Sequence, residues 1–84
     1  MTTAERQKLT TARQLAQGTR QEVRNAAATL RTAEHKHRLN GGGWQTAPAV
    51  DAARATLTRA EAAHRRALDE ASLLERALTT NARE

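Results

Sequence analysis

The three histidines are the residues of this sequence most often found in metal sites and in acid–base catalysis. His35 and His37 lie two positions apart, which places them about 200° apart around a helix and prevents joint chelation. His37 and His64 both fall on the apolar seam between the two predicted helices, but they lie at different levels along its length. We therefore predict no metal site, and we expect His64 to be a buried, hydrogen-bonded imidazole.

The other residues do not form the combinations that nucleophilic or general acid–base catalysis requires. The 84 residues include no cysteine, and no serine stands beside a histidine. Most of the nine acidic residues lie among basic neighbours, at positions that a helix would expose. A thin helical rod offers no cleft that excludes water. The sequence predicts a protein that is not an enzyme and uses no cofactor.

A row of arginines is the strongest candidate for a binding surface. Arg24, Arg31 and Arg38 recur every seven residues, so one helix would carry them on its outer side about 10.5 Å apart. The first arm holds eight of the fourteen basic residues and three of the nine acidic ones, and so the whole net charge of +5. Such a row can bind an acidic protein surface or follow a phosphate backbone. No aromatic residue on the arms is available to stack on bases.

The only tryptophan lies between the two arms, next to a basic cluster. Trp44 follows the segment from Glu34 to Arg38, and tryptophan and arginine dominate the hot spots of protein interfaces. One interpretation is a recognition tip that includes Lys36 and Trp44. The other is that Trp44 folds back over Leu39 and Val50 and closes the end of the seam. The residues predicted to bind a partner are Arg24, Arg31, Lys36, Arg38 and Trp44.

Two heptad repeats must position these residues. The first repeat has its apolar seam at Leu9, Ala12, Ala16, Thr19, Val23, Ala26, Leu30, Ala33 and His37, and the second at Val50, Ala53, Leu57, Ala60, His64, Ala67, Ala71, Leu74 and Leu78. This pattern predicts an all-α, antiparallel, coiled-coil-like two-helix hairpin with a Leu/Ala seam. Large residues would then oppose small ones, with Leu30 against Ala60, Ala33 against Leu57 and Ala26 against His64.

Local signals set the ends of the helices. Thr2 and Glu5 have the spacing of a capping box, which places the start of helix 1 near residue 3. Asn40 and Gly41 would end it near residue 39, although Gly18 leaves a break in mid-helix open. A glycine-rich turn over 40–46 would follow. Helix 2 would run from about 47 to 80, with Thr46 as its cap and Asp51 in its first turn. The whole chain, 1–84, is thus predicted to be a single hairpin.

The apolar side chains are too few to stabilise an isolated hairpin well. Nine leucines, two valines and one tryptophan are the only bulky apolar residues besides Met1, so little area is buried per residue. Apolar positions also flank the seam, at Leu15, Ala63 and Ala77 on one side and at Ala27 and Leu68 on the other. We therefore expect a homodimer in which two hairpins form a four-helix bundle.

A hairpin of this length with Trp44 in its turn resembles the small WXG proteins exported by type VII secretion systems, which pair as four-helix bundles. Thr46 stands where that family has a glycine, and the tail lacks the family's tyrosine, so the resemblance assigns no functional residue here. It implies a secreted helical hairpin.

Three functions are thus open from the sequence. The first is a non-enzymatic protein–protein interaction module: a small adaptor, assembly or regulatory protein that uses a basic helix face and an aromatic turn. The others are a nucleic-acid-binding bundle that uses the arginine row, and the secreted WXG-like hairpin. The sequence has neither a secretory apolar stretch at its start nor an apolar run of about 20 residues. We therefore expect a cytoplasmic protein that does not insert into membranes.

Overall fold

Both arms fold as long helices, as the alanine-rich heptads predict. The computed structural model describes the backbone of residues 2–83 and the side chains of residues 2–80. Helix α1 is Thr3–Leu39 and helix α2 is Ala47–Arg83, three residues longer than predicted. The two helices pack against each other in a hairpin that measures 63 × 15 × 13 Å. The prediction of an all-helical two-helix hairpin is confirmed, and α1 passes through Gly18 without a break.

The ends of α1 follow the local signals. The Thr2 hydroxyl accepts a hydrogen bond from the Glu5 amide at 3.2 Å, so Thr2 is the N-cap. At the other end the Gly42 amide donates to the His37 carbonyl and the Gly41 amide to the Arg38 carbonyl, at 2.8 and 3.1 Å. This pair of bonds is a Schellman motif, which reverses the chain at once. The left-handed residues are Gly41 and Gly42, whereas Asn40 has a φ of −94°.

The start of α2 differs from the prediction in two respects. Thr46 occupies the cap position, because the Val50 amide donates to its carbonyl at 3.4 Å. Its hydroxyl, however, bonds to His37 and to the Gly43 carbonyl, and the Pro48 nitrogen in the first turn has no hydrogen to offer it. Asp51 lies beyond the first turn, which contains no acidic residue. The Asp51 carboxylate oxygen Oδ1 lies 3.9 Å from the guanidinium nitrogen Nη1 of Arg54, which is near the upper limit for an ion pair.

The register of the seam is one heptad away from the prediction. The predicted pairing placed His64 opposite Ala26, but the imidazole Nδ1 of His64 lies 3.0 Å from the hydroxyl of Thr19. Seven residues correspond to about 10.5 Å along a helix, more than these two side chains could span in the predicted register. The bond between His37 and Thr46 fits the same shift. The predicted pairs of Leu30 with Ala60 and of Ala33 with Leu57 are therefore wrong.

The observed register keeps large residues opposite small ones only in the half of the hairpin near the turn. There, Leu30 comes to the level of Ala53, and Leu57 to the level of Ala26. Towards the open end, Ala16 comes to the level of Ala67, and both are buried. Among the described side chains none is fully buried, and the eight buried apolar residues are mostly alanines. The core of the hairpin is therefore thin.

The left-handed conformation of the turn can be tested by substitution. Gly42 has a φ of +69°, whereas the φ of Gly43 lies outside the left-handed region. An added Cβ would meet its nearest neighbour at an ordinary 3.8 Å at Gly42 and 3.9 Å at Gly43. We expect Gly42→Ala to destabilise the hairpin by about 1–2 kcal/mol through backbone strain alone. This corresponds to a melting temperature lower by several degrees in circular dichroism. An equal loss in the control, Gly43→Ala, would contradict left-handed strain at Gly42 as the cause.

Candidate functional site

The arginine row lies on the surface as its spacing predicts. Arg24, Arg31 and Arg38 are all exposed and lie one heptad apart on the continuous helix α1. None of the three forms an ion pair with another described side chain. We call these three residues the arginine stripe. Their guanidinium groups are free to bind an external anion, and Arg carries a fork of donors that fits carboxylates and phosphates.

The other charges on this side of the hairpin are partly neutralised. Arg13 forms a salt bridge to Glu75 across the two helices, whereas Arg20 forms none with another described side chain. Near the turn, Arg38 borders a shallow depression that also contains Glu34 and Asp51. The positive potential of the stripe is therefore least opposed by acidic neighbours around Arg24, because Glu34 lies within one helical turn of both Arg31 and Arg38.

The tip of the hairpin exposes its apolar side chains. Trp44 is 82% exposed and Leu39 is 72% exposed, so Trp44 does not cover the end of the seam. The alternative in which it folds over Leu39 and Val50 is wrong. Val50 is nevertheless buried, because the last turn of α1 and the bond between His37 and Thr46 close the seam there. The indole is thus left free for another molecule.

Basic residues surround this apolar tip. Lys36 and Arg38 belong to the last turn of α1 and are both exposed. Together with Leu39 and Trp44 they form what we call the basic–aromatic tip. All five residues predicted to bind a partner are therefore accessible. The stripe and the tip share Arg38, so they form one continuous surface along the outer side and end of α1.

The histidines of the seam have a structural role that the sequence did not reveal in full. His64 is half-buried, less than expected, and bonds to Thr19 at 3.0 Å, while His37 bonds to Thr46 at 2.6 Å. Both threonine hydroxyls donate to carbonyl oxygens, of Ala16 and of Gly43. Where the single hydroxyl hydrogen is directed at the carbonyl, the imidazole donates from Nδ1 to the threonine oxygen.

These two His–Thr pairs form polar layers inside the otherwise apolar seam. His35 lies outside the seam and is exposed. In the part of the chain with described side chains, no three His, Asp or Glu residues cluster as metal ligands would. The signal that could have identified the layers was a threonine at a seam position opposite a histidine.

A third surface runs along one side of the seam. Three shallow depressions follow each other on this side from the turn to the open end. The residues that border these depressions recur every seven positions on each helix, so the depressions lie on a single face of the hairpin. We call it the Leu15 groove. Its rim residues are Lys8, Leu15, Glu22, Thr29 and Lys36 on α1 and Ala49, Thr56, Ala63 and Glu70 on α2, and its floor includes Ala12, Ala26, Ala33 and Ala60. Lys36 belongs both to this groove and to the basic–aromatic tip.

Comparison with known proteins identifies no relative of this chain: no protein-family model, no curated protein and no solved structure matches it. The resemblance to the WXG proteins therefore rests on the hairpin shape and on Trp44. Neither described helix contains a stretch that is both long and apolar enough to cross a membrane. Any functional proposal therefore rests on the three surfaces described above.

Proposed function

We propose that this protein is a non-enzymatic interaction module, a small adaptor, assembly or regulatory protein of the cytoplasm. Its partner is a protein with an acidic surface and an apolar pocket. The arginine stripe binds the acidic surface, and Trp44 enters the pocket. The observation that carries the proposal is the 82% exposure of the only tryptophan, beside the exposed Leu39 and the basic end of α1.

Burial of the tip would supply the affinity of such a complex. Exposed tryptophan and leucine side chains gain about 25 cal/mol for each Å² of apolar surface removed from water. Lys36 and Arg38 sit at the rim of this apolar patch, where charges speed association and select the partner more than they add affinity. Arg24 and Arg31 extend the same positive surface along the rod.

We further propose that the module works as a homodimer, a four-helix bundle of two hairpins. The chain exposes 6436 Å². A compact monomer of 9.2 kDa would expose about 4,900 Å² according to the scaling of surface with mass. The difference, roughly 1,500 Å², exceeds the ~800 Å² that each partner buries in a standard interface. Leu15, Leu68 and Leu73 are all about half exposed or more.

Nucleic-acid binding is the second candidate, favoured by the stripe and by the location of the whole net charge on the first arm. Against it, the only aromatic side chain is at the tip, and the described arms offer no stacking platform for bases. Fluorescence anisotropy with a duplex DNA and with a single-stranded RNA separates the two functions. We expect only weak binding to either probe, falling by orders of magnitude between about 50 and 200 mM salt. Tight binding at the lower salt that falls steeply with added salt would favour this second function, whereas retention that ignores salt would count against it.

Capture from a nuclease-treated lysate of the native host tests the first function. The immobilised chain should retain a protein that is absent from beads carrying Trp44→Ala. Quantitative mass spectrometry would compare the two, and direct binding of the purified candidate would confirm the contact. If no protein depends on Trp44, the proposal is wrong.

A further inference from the structure

We propose that the Leu15 groove is the dimer interface and that the second copy lies in it with both Trp44 tips at the same end of the bundle. This inference rests on the proposed dimer and specifies its face and its direction. The occupant is a second copy of this chain, because the groove complements itself in size and in charge.

The size of the face fits a second hairpin. The hairpin is 63 Å long and 15 Å wide, so one face covers about 900 Å², close to the ~800 Å² per partner of a standard interface. The depressions of the groove extend over most of this length. Alanine and threonine side chains dominate its lining, which lets another helix pair approach closely. Leu15, 53% exposed, is the large apolar side chain at its rim.

The opposite face is less suited to close packing. There the Arg13–Glu75 salt bridge spans the two helices, and Arg54 lies near Asp51 close to the turn. Leu68 is 47% exposed on that face and has charged neighbours at the corresponding heptad positions. A second copy on that face would have to remove several of these charges from water, which costs free energy unless each is paired.

The charges of the groove select one direction. Lys8 and Glu70 border the same depression at the open end, and Glu22 and Arg59 border the one in the middle. When two hairpins face each other with their tips together, α1 of each copy lies against α2 of the other. Lys8 then meets Glu70 of the second copy, and Glu22 meets Arg59 of the second copy. Opposite charges are thus paired along the interface.

The reverse direction brings like charges together. Lys8, Glu22 and Lys36 lie on the same side of α1, two heptads apart. If the second copy overlapped fully with its tip at the opposite end, α1 would lie against α1. Lys8 would then approach Lys36 of the second copy, and the two Glu22 carboxylates would approach each other. Like charges in a partly dehydrated interface are destabilising.

The arrangement has a functional consequence. Two basic–aromatic tips at the same end of the bundle give one end two equal binding surfaces. A partner that is itself two-fold symmetric, or that carries two copies of the recognised segment, would bind both at once. The second contact would then be intramolecular, which raises the apparent affinity without any new contact.

Sedimentation equilibrium of the purified chain tests the choice of face. We expect twice the chain mass of 9.2 kDa for the wild-type protein. Leu15→Glu should give the monomer mass, or lose helix together with the dimer. Leu68→Glu is the matched control, since it introduces the same charge at a similarly exposed leucine on the opposite face, and it should remain dimeric. A monomeric wild type, a dimeric Leu15→Glu variant or dissociation of both variants would overturn the proposal.

A single spin label tests the direction, and the absence of native cysteine makes the labelling specific. In the Gln45→Cys variant, labels on the two copies should lie within about 25 Å, because neighbouring helices of a bundle lie about 8–10 Å apart. A distance between the two labels close to the 63 Å length of the hairpin would overturn the proposed direction. Both experiments use the chain without its partner. Their failure would therefore leave partner binding at the stripe and the tip untouched.

Discussion

Replacement of Trp44 by alanine is expected to weaken binding of the captured partner protein by about 30-fold or more. A buried tryptophan at an interface hot spot contributes at least about 2 kcal/mol when truncated, which corresponds to that factor. The helix content and melting temperature should not change, because the side chain is 82% exposed and supports nothing within the hairpin. Isothermal titration calorimetry with the purified partner would measure the loss.

The fluorescence of the same residue gives an independent readout. Trp44 is the only tryptophan, so in complexes with a partner that lacks tryptophan the emission reports the tip alone. We expect the emission of a solvated indole in the free chain and a shift to shorter wavelength when the partner binds. Leu68→Ala, which truncates an exposed leucine away from the tip, should retain both the shift and the affinity. Binding that leaves the emission unchanged would place the partner elsewhere.

The helices and their ends could be predicted from the sequence because local interactions determine them. Thr2 caps α1 through a bond to an amide three residues away, and Gly41 and Gly42 supply the left-handed conformations that end the helix. The heptads identified the seam for a similar reason, since the period of apolar residues fixes the buried face of each helix. Thr46 was placed correctly at the start of α2, but its hydroxyl does not cap the helix because it bonds to His37, on the other helix.

The register could not be predicted from the sizes of the side chains. A shift of one heptad returns every seam position to an equivalent one, so the period allows several pairings. Large-against-small matching favoured a pairing that the structure does not have. Two other effects select the observed register: the Schellman motif closes the turn early, and the threonines at 19 and 46 bond to the histidines at 64 and 37. Polar layers of this kind are a known means of fixing register.

The sequence predicted the arginine stripe, the exposure of Trp44 and the Leu15 groove to different extents. The exposure of the arginine stripe follows from heptad spacing alone. For Trp44 the sequence left two alternatives, because nothing in a glycine-rich turn determines whether an indole packs inward. The Leu15 groove was recognisable only in part: Leu15 and Ala63 were noted as flanking residues. Lys8 and Glu70, and likewise Glu22 and Arg59, can be assigned to the same depression only once the register of the two helices is known.

Reversal of the charges of the arginine stripe is the second large effect that we expect. The triple variant Arg24→Glu, Arg31→Glu and Arg38→Glu should slow association with the acidic partner by about 10-fold or more at low salt, because charges at an interface act mainly on the association rate. The salt dependence of the rate should also reverse, so that added salt speeds association, since screening then weakens a repulsion instead of an attraction. Surface plasmon resonance at several salt concentrations would measure both quantities.

A second triple variant separates the position of these charges from their number. Arg65, Arg66 and Arg76 are exposed on α2, and their replacement by glutamate changes the net charge by the same amount. If the stripe is the contact, this control should slow association much less and should keep a clear salt dependence. If both variants slow association equally, the partner responds to the total charge of the rod, and the arginine stripe is not the binding surface. Because all six arginines lie outside the seam, the hairpin should fold in both variants, and circular dichroism would verify this.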